Sequence, residues 1–256
     1  MCGRYVITSP IEALRALFRF GGARLNLPAR YNVAPTQVAP VVRRAEAELE
    51  LAMMRWGLVP SWSKEIGTRP LFNARGETVA EKPSFRRAFA TRRCLVPANG
   101  FYEWPEQGPL ASQPVFFHRR REAADEEPLP LFAFAGIWER WTRPERGEAL
   151  DSYAIISTEA NGFMREYHHR IPVILAEADH ATWLDGEPEA AKALLRSAPE
   201  DWLAAYPVSP RVNSARVDEP GLIEPLATVA APAPPRAEPK AERRRAKKDD
   251  RQADLF

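Results

Sequence analysis

The apolar residues of this chain occur mainly in short β-favouring runs that Pro and Gly repeatedly interrupt. Seven such runs predict strands: Gly3 to Thr8, Ala39 to Arg43, Arg93 to Val96, Val115 to Phe117, Leu131 to Trp138, Tyr153 to Ser157 and Val173 to Leu175. Three segments have helical periodicity: Pro10 to Phe18 after the cap-like Ser9, Ser84 to Thr91, and Pro188 to Ser197. Because neither a β–α–β alternation nor an internal repeat is visible, we predict an α+β fold, with a mixed sheet rolled into a barrel-like core and flanking helices.

The composition changes abruptly after Leu226, where the chain becomes Ala/Pro-rich and then charged. We predict one domain over residues 1–226, which is long enough to bury a sizeable core, and a disordered tail over 227–256. From Arg236 onward, eight basic residues face five acidic ones, so the tail carries +3 and the rest of the +2 chain carries −1. Overall charge therefore does not indicate nucleic-acid binding, which must be argued from local arginine clusters.

Several protein classes are excluded by features that the sequence lacks. No stretch reaches the roughly 18 to 20 apolar residues of a membrane span, and the start lacks the features of a secretory signal. Cys2 and Cys94 are too few for a disulfide framework, and with four histidines they show no zinc spacing. We therefore expect a soluble cytoplasmic protein without membrane, metal or cofactor, in which Cys94 is a buried strand residue.

The second residue, Cys2, offers unusual chemistry. Initiator Met is removed when the next side chain is small, so the mature chain would present an α-amine and a thiol on one residue. The amine, with a reference pKa near 8, can attack an aldehyde to give an imine, and the thiol can then close a five-membered thiazolidine. The alternative is that Cys2 is an incidental small residue in a frayed terminus. The strand-like run Gly3 to Ile7 favours a terminus that is pinned in the fold.

Seven ordered motifs resemble the SRAP family. They are MCGRY at the start, YNVAPTQ at Tyr31 to Gln37, MRWGLVPSW at Met54 to Trp62, NARGET at Asn73 to Thr78, RRCLVPANGFYEW at Arg92 to Trp104, FAGIWE at Phe134 to Glu139 and HHRIPVIL at His168 to Leu175. The resemblance runs from Met1 to about Asn213 and implies a barrel-like α+β domain that crosslinks covalently to abasic sites in single-stranded DNA. One departure is that His169 and Ile171 replace the Asp and the Met of the usual Asp-Arg-Met-Pro.

Three further motif residues predict catalytic groups beside Cys2. Glu103 lies in an apolar run, where partial desolvation would raise its pKa towards that of a general acid/base; the alternative is a surface glutamate on a strand edge. His168 titrates near neutrality and could protonate the sugar ring oxygen to release the aldehyde, although a lone histidine is often structural. The amide of Asn73 could orient the sugar or the amine, unless it is only a turn residue.

Five residues are predicted to bind DNA: Arg4, Trp62, Arg75, Arg86 and Arg170. The arginines neighbour Cys2, Asn73, the Phe85 segment and His168, so they would ring one site and grip phosphates if these motifs converge. Individually, each is equally well explained as a solvated charge. Trp62 is followed by polar residues and could stack on an unpaired base, whereas we expect Trp56 in the core.

Three functions remain open from the sequence. The first is covalent capture of abasic single-stranded DNA through Schiff-base chemistry of the lyase type. The second is an N-terminal-nucleophile peptidase or self-processing hydrolase that uses Cys2, Glu103 and His168 on a peptide carbonyl. The third is a noncovalent DNA-binding module.

The chain ends in Gln252-Ala253-Asp254-Leu255-Phe256, which resembles the sliding-clamp-binding peptides of bacterial DNA-maintenance proteins. Leu255 and Phe256 would be the buried anchors and Gln252 the polar contact, with the tail acting as a tether. The alternative is a terminus without function. A replication sliding clamp is thus a second predicted partner, besides abasic DNA.

Overall fold

The computed structural model describes residues 2–22, 26–120, 128–143 and 147–226. The strands in these ranges are β1 Arg4–Ile7, β2 Arg30–Val33, β3 Val38–Ala45, β4 Glu48–Trp56, β5 Asn73–Arg75, β6 Arg93–Ala98, β7 Gly100–Glu103, β8 Val115–Arg119, β9 Phe132–Thr142, β10 Ala149–Glu159, β11 Arg170–Pro172, β12 Ile174–Leu175 and β13 Leu203–Pro207. The α-helices are α1 Ile11–Phe18, α2 Arg86–Thr91, α3 Gly162–Arg165, α4 His180–Asp185 and α5 Pro188–Ala193.

Five strands close into a barrel. The pairing runs β10–β4–β3–β6–β9 and returns from β9 to β10. The barrel sheet is mixed, because β10 is parallel to β4 and antiparallel to β9. A second, antiparallel sheet has the order β13-β8-β7-β1-β2. The predicted α+β fold, with a mixed sheet rolled into a barrel-like core, is therefore confirmed.

Buried strands and short helices enclose the barrel core. Strand β6 is buried along its whole length, and α2 and α4 pack over it from outside. Gly136 on β9 permits close approach of the strands, because a Cβ there would lie 2.9 Å from Sγ of Cys94. Cys94 is fully buried and so is Trp56, whose ring packs edge-on against Tyr5. The predictions that Cys94 and Trp56 belong to the core are confirmed.

The chain passes from the barrel to the second sheet between β6 and β7, at Asn99. The Asn99 Oδ1 accepts from the backbone N–H groups of Thr8 (2.8 Å) and Ser9 (3.1 Å), which ties β1 to this crossing. The Ser9 hydroxyl accepts a hydrogen bond from the Asn99 amide, so it does not cap α1. The cap position is Pro10, which lacks a capping side chain; the predicted role of Ser9 was therefore wrong.

One predicted helix ends earlier than expected, and one long strand was not predicted. The helix predicted to end at Ser197 stops at Ala193, after which Leu194 and Leu195 pack against the core. Strand β4 was not predicted, because its Glu, Leu, Ala and Met residues favour helix. Pairing with β3 along its whole length overrides that preference.

Residues 227–256 lie outside the described residues, so the domain boundary, the tail and the clamp-binding role of Gln252, Leu255 and Phe256 stay predictions. In the part of the chain that the structure describes, every helix is too short or too polar to cross a membrane.

Candidate active site

The pairing of β1 with β7 places Cys2 near Glu103. Arg4 pairs with Tyr102 and Tyr5 with Phe101, so the last residue of β7 lies at the end of the sheet where β1 begins. Both side chains are buried, with 2% of Cys2 and 3% of Glu103 exposed. Burial raises the pKa of the Cys2 thiol, and the charge of Glu103 raises it further. The thiol and the carboxyl therefore belong to one electrostatically coupled site.

The Glu103 carboxyl has the protonation behaviour of a general acid/base. Burial raises its pKa to about 7, although a hydrogen bond from the backbone of Trp104 acts in the opposite direction. Near neutral pH, both the acid and the carboxylate are therefore populated. The alternative of an exposed glutamate on a strand edge does not fit its burial.

Asn73 contacts the Cys2 backbone directly. It is the first residue of β5, where it pairs with Ile155, so it does not lie in a turn. Its Nδ2 donates a hydrogen bond of 2.8 Å to the carbonyl oxygen of Cys2. Its Oδ1 is buried and accepts no hydrogen bond within the described residues. Asn73 therefore holds the Cys2 backbone in place and offers an acceptor beside it.

His168 lies between α3 and β11. Its Nδ1 accepts a hydrogen bond of 2.9 Å from the backbone N–H of Arg170 and also lies 3.2 Å from the Arg170 carbonyl oxygen. The shorter bond comes from a donor whose hydrogen is fixed, which favours a neutral ring with its proton on Nε2. Burial lowers the pKa of His168, while donation from the protonated ring to the carbonyl oxygen of Arg170 and the charge of Glu106 act in the opposite direction. Because Glu106 lies three residues after Glu103, this coupling places His168 on the side of the site where β7 ends.

Arg4 and Arg75 flank this end of the sheets. Arg4 is half-buried, and its Nη1 donates to the carbonyl of Gly3 (3.0 Å). Its Nε is buried without a hydrogen-bond partner in the described ranges. Arg75 ends the strand that begins at Asn73, and its side chain is exposed. Arg4 lies two residues after Cys2, and Arg75 lies two residues after Asn73, which contacts Cys2.

The guanidinium of Arg170 is buried and paired, whereas a phosphate ligand needs an accessible guanidinium. Only 6% of it is exposed, and its guanidinium binds Glu77 through two hydrogen bonds, of 3.1 and 2.9 Å. A further bond of 2.6 Å reaches the carbonyl of Ser157. The role of Arg170 in DNA binding stays a prediction that would require this ion pair to open.

Trp62 borders a separate cavity, and Arg86 lies near it in the sequence. Trp62 is 65% exposed, in the loop between β4 and β5. The indole of Trp141 anchors this loop by donating to the carbonyl of Ser63 (2.7 Å). A cavity of about 200 Å³ is lined by Trp62 and by Ser84, which lies two residues before Arg86. Arg86 is exposed at the start of α2, and within the described residues no hydrogen bond or ion pair brings it to Cys2.

Asn213 and Glu77 were missed by the sequence reasoning. The Oδ1 of Asn213 accepts from the indole of Trp104 (2.7 Å), and its carbonyl accepts from Arg4 (3.5 Å). Glu77 binds Arg170 from within the NARGET motif. Neither residue carried a chemical signal in the sequence. Glu77 lies within the NARGET motif, and Asn213 lies where the resemblance to the family ends. In the described segments, no group of three or more His, Cys, Asp or Glu side chains is placed to hold a metal ion.

Comparisons with known proteins agree on one family. Residues 1–215 match the family model "SOS response associated peptidase (SRAP)". The abasic site processing protein YoqW of Bacillus subtilis is 36% identical over 234 residues, covering 88% of this chain and 99% of the relative. The abasic site processing protein HMCES of Gallus gallus is 34% identical over 223 residues, with coverages of 77% and 66%. A crystal structure of a Bacteroides thetaiotaomicron protein, 24% identical, shares the fold with a TM-score of 0.76 over 88% of this chain and 100% of its own.

Proposed function

The chain belongs to the SOS response associated peptidase (SRAP) family, and from that premise we propose that it processes abasic sites in DNA by covalent capture. Mature Cys2 would react with the ring-opened aldehyde of an abasic site in single-stranded DNA and form a thiazolidine. The observation that carries this proposal is the contact of Asn73 with the Cys2 backbone beside the buried Glu103 carboxyl. The names of the relatives, abasic site processing proteins, support the choice of substrate.

Ring opening is the first step. In the cyclic form of an abasic sugar, C1′ carries a hydroxyl and bonds to the ring oxygen, which must be protonated for the ring to open. The Nε2–H of neutral His168 is suited to this donation, because Nδ1 is already occupied by the Arg170 N–H. As the bond between C1′ and the ring oxygen breaks, the C1′ hydroxyl releases its proton to solvent water, and the aldehyde results.

Capture then proceeds through an imine. The α-amine of Cys2 attacks C1′, and the Glu103 carboxylate takes a proton from the attacking nitrogen and passes it to the former aldehyde oxygen, which gives the carbinolamine. A second proton is transferred in the same way from nitrogen to the carbinolamine hydroxyl, which leaves as water while the C=N bond forms. The thiol finally adds across the C=N bond, with sulfur bonding to C1′ and its proton passing to nitrogen. The net reaction of aldehyde and aminothiol gives the thiazolidine and one water.

The state of the thiol favours capture over peptidase chemistry. A cysteine peptidase attacks its carbonyl with a thiolate, and its cysteine pKa is lowered for that purpose. Burial and the charge of Glu103 instead raise the pKa of Cys2, and its Sγ donates to the carbonyl of Arg4 (3.4 Å). In the capture route the amine attacks first and the thiol adds later in its neutral form, so a raised thiol pKa is tolerated.

The proposal is tested with mature protein and a single-stranded oligonucleotide that contains one abasic site. Covalent capture predicts a slower band on a denaturing gel that survives boiling. The same oligonucleotide with a normal base at that position is the control and should give no band. A shift seen only on a native gel would support a noncovalent binding module instead. If neither gel shows a shift, the peptidase would be the remaining hypothesis.

Exposed groups around the site would bind the strand. We propose that Arg75, Arg4 and Arg86 contact phosphates and that Trp62 stacks on an unpaired base. Such stacking contributes roughly 1 to 3 kcal/mol per base. Binding of this kind is tolerant of sequence, because phosphates and base faces are shared by all nucleotides.

Replacing Arg75 by alanine should weaken noncovalent DNA binding and lower its salt dependence. Loss of one phosphate contact reduces the slope of log affinity against log salt by about one. The measurement is a salt titration in a Cys2→Ala background, which prevents covalent capture. The control is Arg143→Ala, since the Arg143 side chain is 40% exposed but lies at the far end of the β9–β10 hairpin, where it pairs with Glu148. A slope equal to that of the parent would show that Arg75 does not contact a phosphate.

We also propose that the C-terminal pentapeptide binds the replication sliding clamp. The tail would then tether the protein to the clamp and raise its local concentration near abasic sites in single strands exposed at replication forks. A fluorescent peptide of the last dozen or so residues should bind purified clamp, and the Leu255→Ala, Phe256→Ala double variant should not. Equal binding by both peptides would reduce the tail to a spacer.

A further inference from the structure

Exposed apolar side chains gather around Arg55, near the end of β4. Arg55 pairs with Val38 of β3, and Met53 lies on the same face of β4, two residues earlier. Trp62 and Ile66 belong to the loop between β4 and β5, and they line the cavity of about 200 Å³ together with Arg55. These are four of the five large apolar side chains that are exposed in the described part of the chain. An exposed apolar patch of this kind marks an interaction surface.

The guanidinium of Arg55 is a partly buried cation without a carboxylate. Its Nη1 donates a hydrogen bond of 2.7 Å to the carbonyl oxygen of Gly57, and within the described ranges no ion pair joins it to an acidic residue. Arg170, which is also buried, pairs with Glu77 instead. Burial lowers the pKa of Arg55, but an arginine stays charged at neutral pH. An anion from outside would supply the missing counter-charge.

The backbone of the loop is shaped around this guanidinium. Gly57 has a φ of 128°, which residues with a Cβ rarely adopt. A Cβ there would lie 3.0 Å from Nη1 of Arg55 and 3.0 Å from Cβ of Pro70, so glycine lets the guanidinium lie against the loop. Among the described residues that line the cavity, the other charged residue is Arg69. The charges at the cavity are therefore both positive.

The cavity lies close to the candidate active site. Leu71 lines the cavity, and two residues later Asn73 donates its hydrogen bond to the carbonyl oxygen of Cys2. Two residues span at most about 7 Å of backbone. Nucleotides next to an abasic site that is held at Cys2 are therefore within reach of the cavity.

We propose that this cavity is a subsite for a nucleotide that flanks the abasic site: Arg55 binds its phosphate together with Arg69, and its base stacks on Trp62. This inference rests on the proposed function and deepens it, because it assigns a role to Arg55 and an occupant to the exposed apolar patch. Single-stranded DNA fits the patch better than an apolar peptide does, since the charges at the cavity are positive and an exposed indole can stack on any base. The competing assignment is a protein partner.

The first test measures noncovalent binding of an undamaged single-stranded oligonucleotide in a Cys2→Ala background. In Arg55→Gln, affinity should fall roughly threefold to tenfold at low salt, and the slope of log affinity against log salt should fall by about one. Trp62→Ala should weaken binding roughly 5- to 100-fold and leave the slope unchanged, because it removes stacking and no charge. The control Arg44→Gln should change neither quantity, since Arg44 is also partly buried but pairs with Asp185 on α4.

The second test locates the subsite relative to the lesion. Two oligonucleotides carry the abasic site at one end, so that the flanking nucleotides lie only on its 5′ side or only on its 3′ side. With Cys2 present and DNA below saturation, Arg55→Gln should slow crosslinking of one oligonucleotide and leave the other at the wild-type rate. The reason is that a fixed cavity receives nucleotides from one side of the lesion.

Circular dichroism confirms that each variant is folded. If Arg55→Gln is not folded, Arg69→Gln and Trp62→Ala carry both tests, since both side chains are exposed. Each should then weaken noncovalent binding and slow crosslinking of the same one of the two oligonucleotides.

Three results would overturn the inference. One is an affinity and a salt slope in folded Arg55→Gln that equal those of the parent. Another is an equal slowing of both end-labelled substrates, which would indicate a general structural effect. The third is unchanged DNA binding in both Arg55→Gln and Trp62→Ala, which would assign the patch to a protein partner. If wild-type protein fails to crosslink abasic DNA, the proposed function fails, while the salt titration still decides whether Arg55 binds a phosphate.

Discussion

Replacing Cys2 by alanine is expected to remove the boiling-resistant adduct with abasic single-stranded DNA completely. The variant keeps an α-amine at its mature terminus, so it can still form an imine with the aldehyde. Without the thiol, however, the ring cannot close and the imine hydrolyses. Borohydride, which reduces imines, should therefore restore a covalent band in Cys2→Ala. The measurement is a denaturing gel with and without borohydride.

Cys94→Ala is the matched control for this prediction. Cys94 is the other cysteine of the chain and is fully buried on β6. Its replacement should reduce stability slightly and leave the crosslink intact, because the side chain is part of the core. A boiling-resistant band in Cys2→Ala without borohydride would contradict the aminothiol mechanism.

Glu103→Gln is expected to slow crosslinking roughly 10²- to 10⁴-fold while changing DNA affinity little, because a proton shuttle acts on rate. The pKa of Glu103 is raised to about 7 by burial. The wild-type rate should accordingly fall as pH is lowered through about 7, where the carboxylate that takes the amine proton is lost. Glu103→Gln should lack this inflection. Equal losses of rate and affinity would make Glu103 a structural residue.

The same substitution should stabilise the protein at alkaline pH. Folding raises the pKa of Glu103 from 4.5 to about 7, so its ionisation opposes the folded state. Stability is lost as pH rises from about 4.5 through about 7, and the whole penalty is present above that range. Glu103→Gln removes this ionisation penalty, so it should raise the free energy of unfolding by about 3 kcal/mol near pH 8 and leave it unchanged near pH 4. Urea unfolding at the two pH values measures this.

Glu139→Gln is the contrasting control for stability. Glu139 is as buried as Glu103 but is paired with Arg92. Neutralising it leaves a partly buried arginine without its counter-ion, which destabilises a fold. At near-neutral and alkaline pH we therefore expect Glu103→Gln to raise the free energy of unfolding and Glu139→Gln to lower it. A loss of stability in Glu103→Gln near pH 8 would show that its carboxylate is well solvated or paired.

The parts of the fold that sequence could predict are those with local signals. The apolar runs around β1, β6 and β9 predicted strands because their residues favour extended structure and are buried as such. Strand β4 escaped prediction because its residues favour helix, and only pairing with β3 decides its conformation. The closure of the barrel between β9 and β10 likewise depends on pairing that no local pattern encodes.

The candidate site divides in the same way. Chemistry identifies Cys2 and Glu103 in the sequence, because an N-terminal aminothiol and a carboxyl among aromatic residues are distinctive by themselves. The contact between Asn73 and Cys2 spans seventy-one positions and depends on the fold. The sequence likewise does not reveal that the buried guanidinium of Arg170 is paired with Glu77, and the role of Arg170 in DNA binding stays a prediction. Sequence thus identifies reactive groups better than it identifies their partners.

Mass spectrometry of the crosslinked peptide tests the central claim most directly. After crosslinking, nuclease and protease digestion should yield an N-terminal peptide that begins at Cys2, lacks Met1 and carries the sugar remnant with the loss of one water. Its sulfur should not react with thiol-alkylating reagents, because it is bound to C1′ in the ring, and borohydride should leave its mass unchanged because no imine remains. A crosslinked peptide that retains Met1, or an adduct on a lysine, would contradict the account.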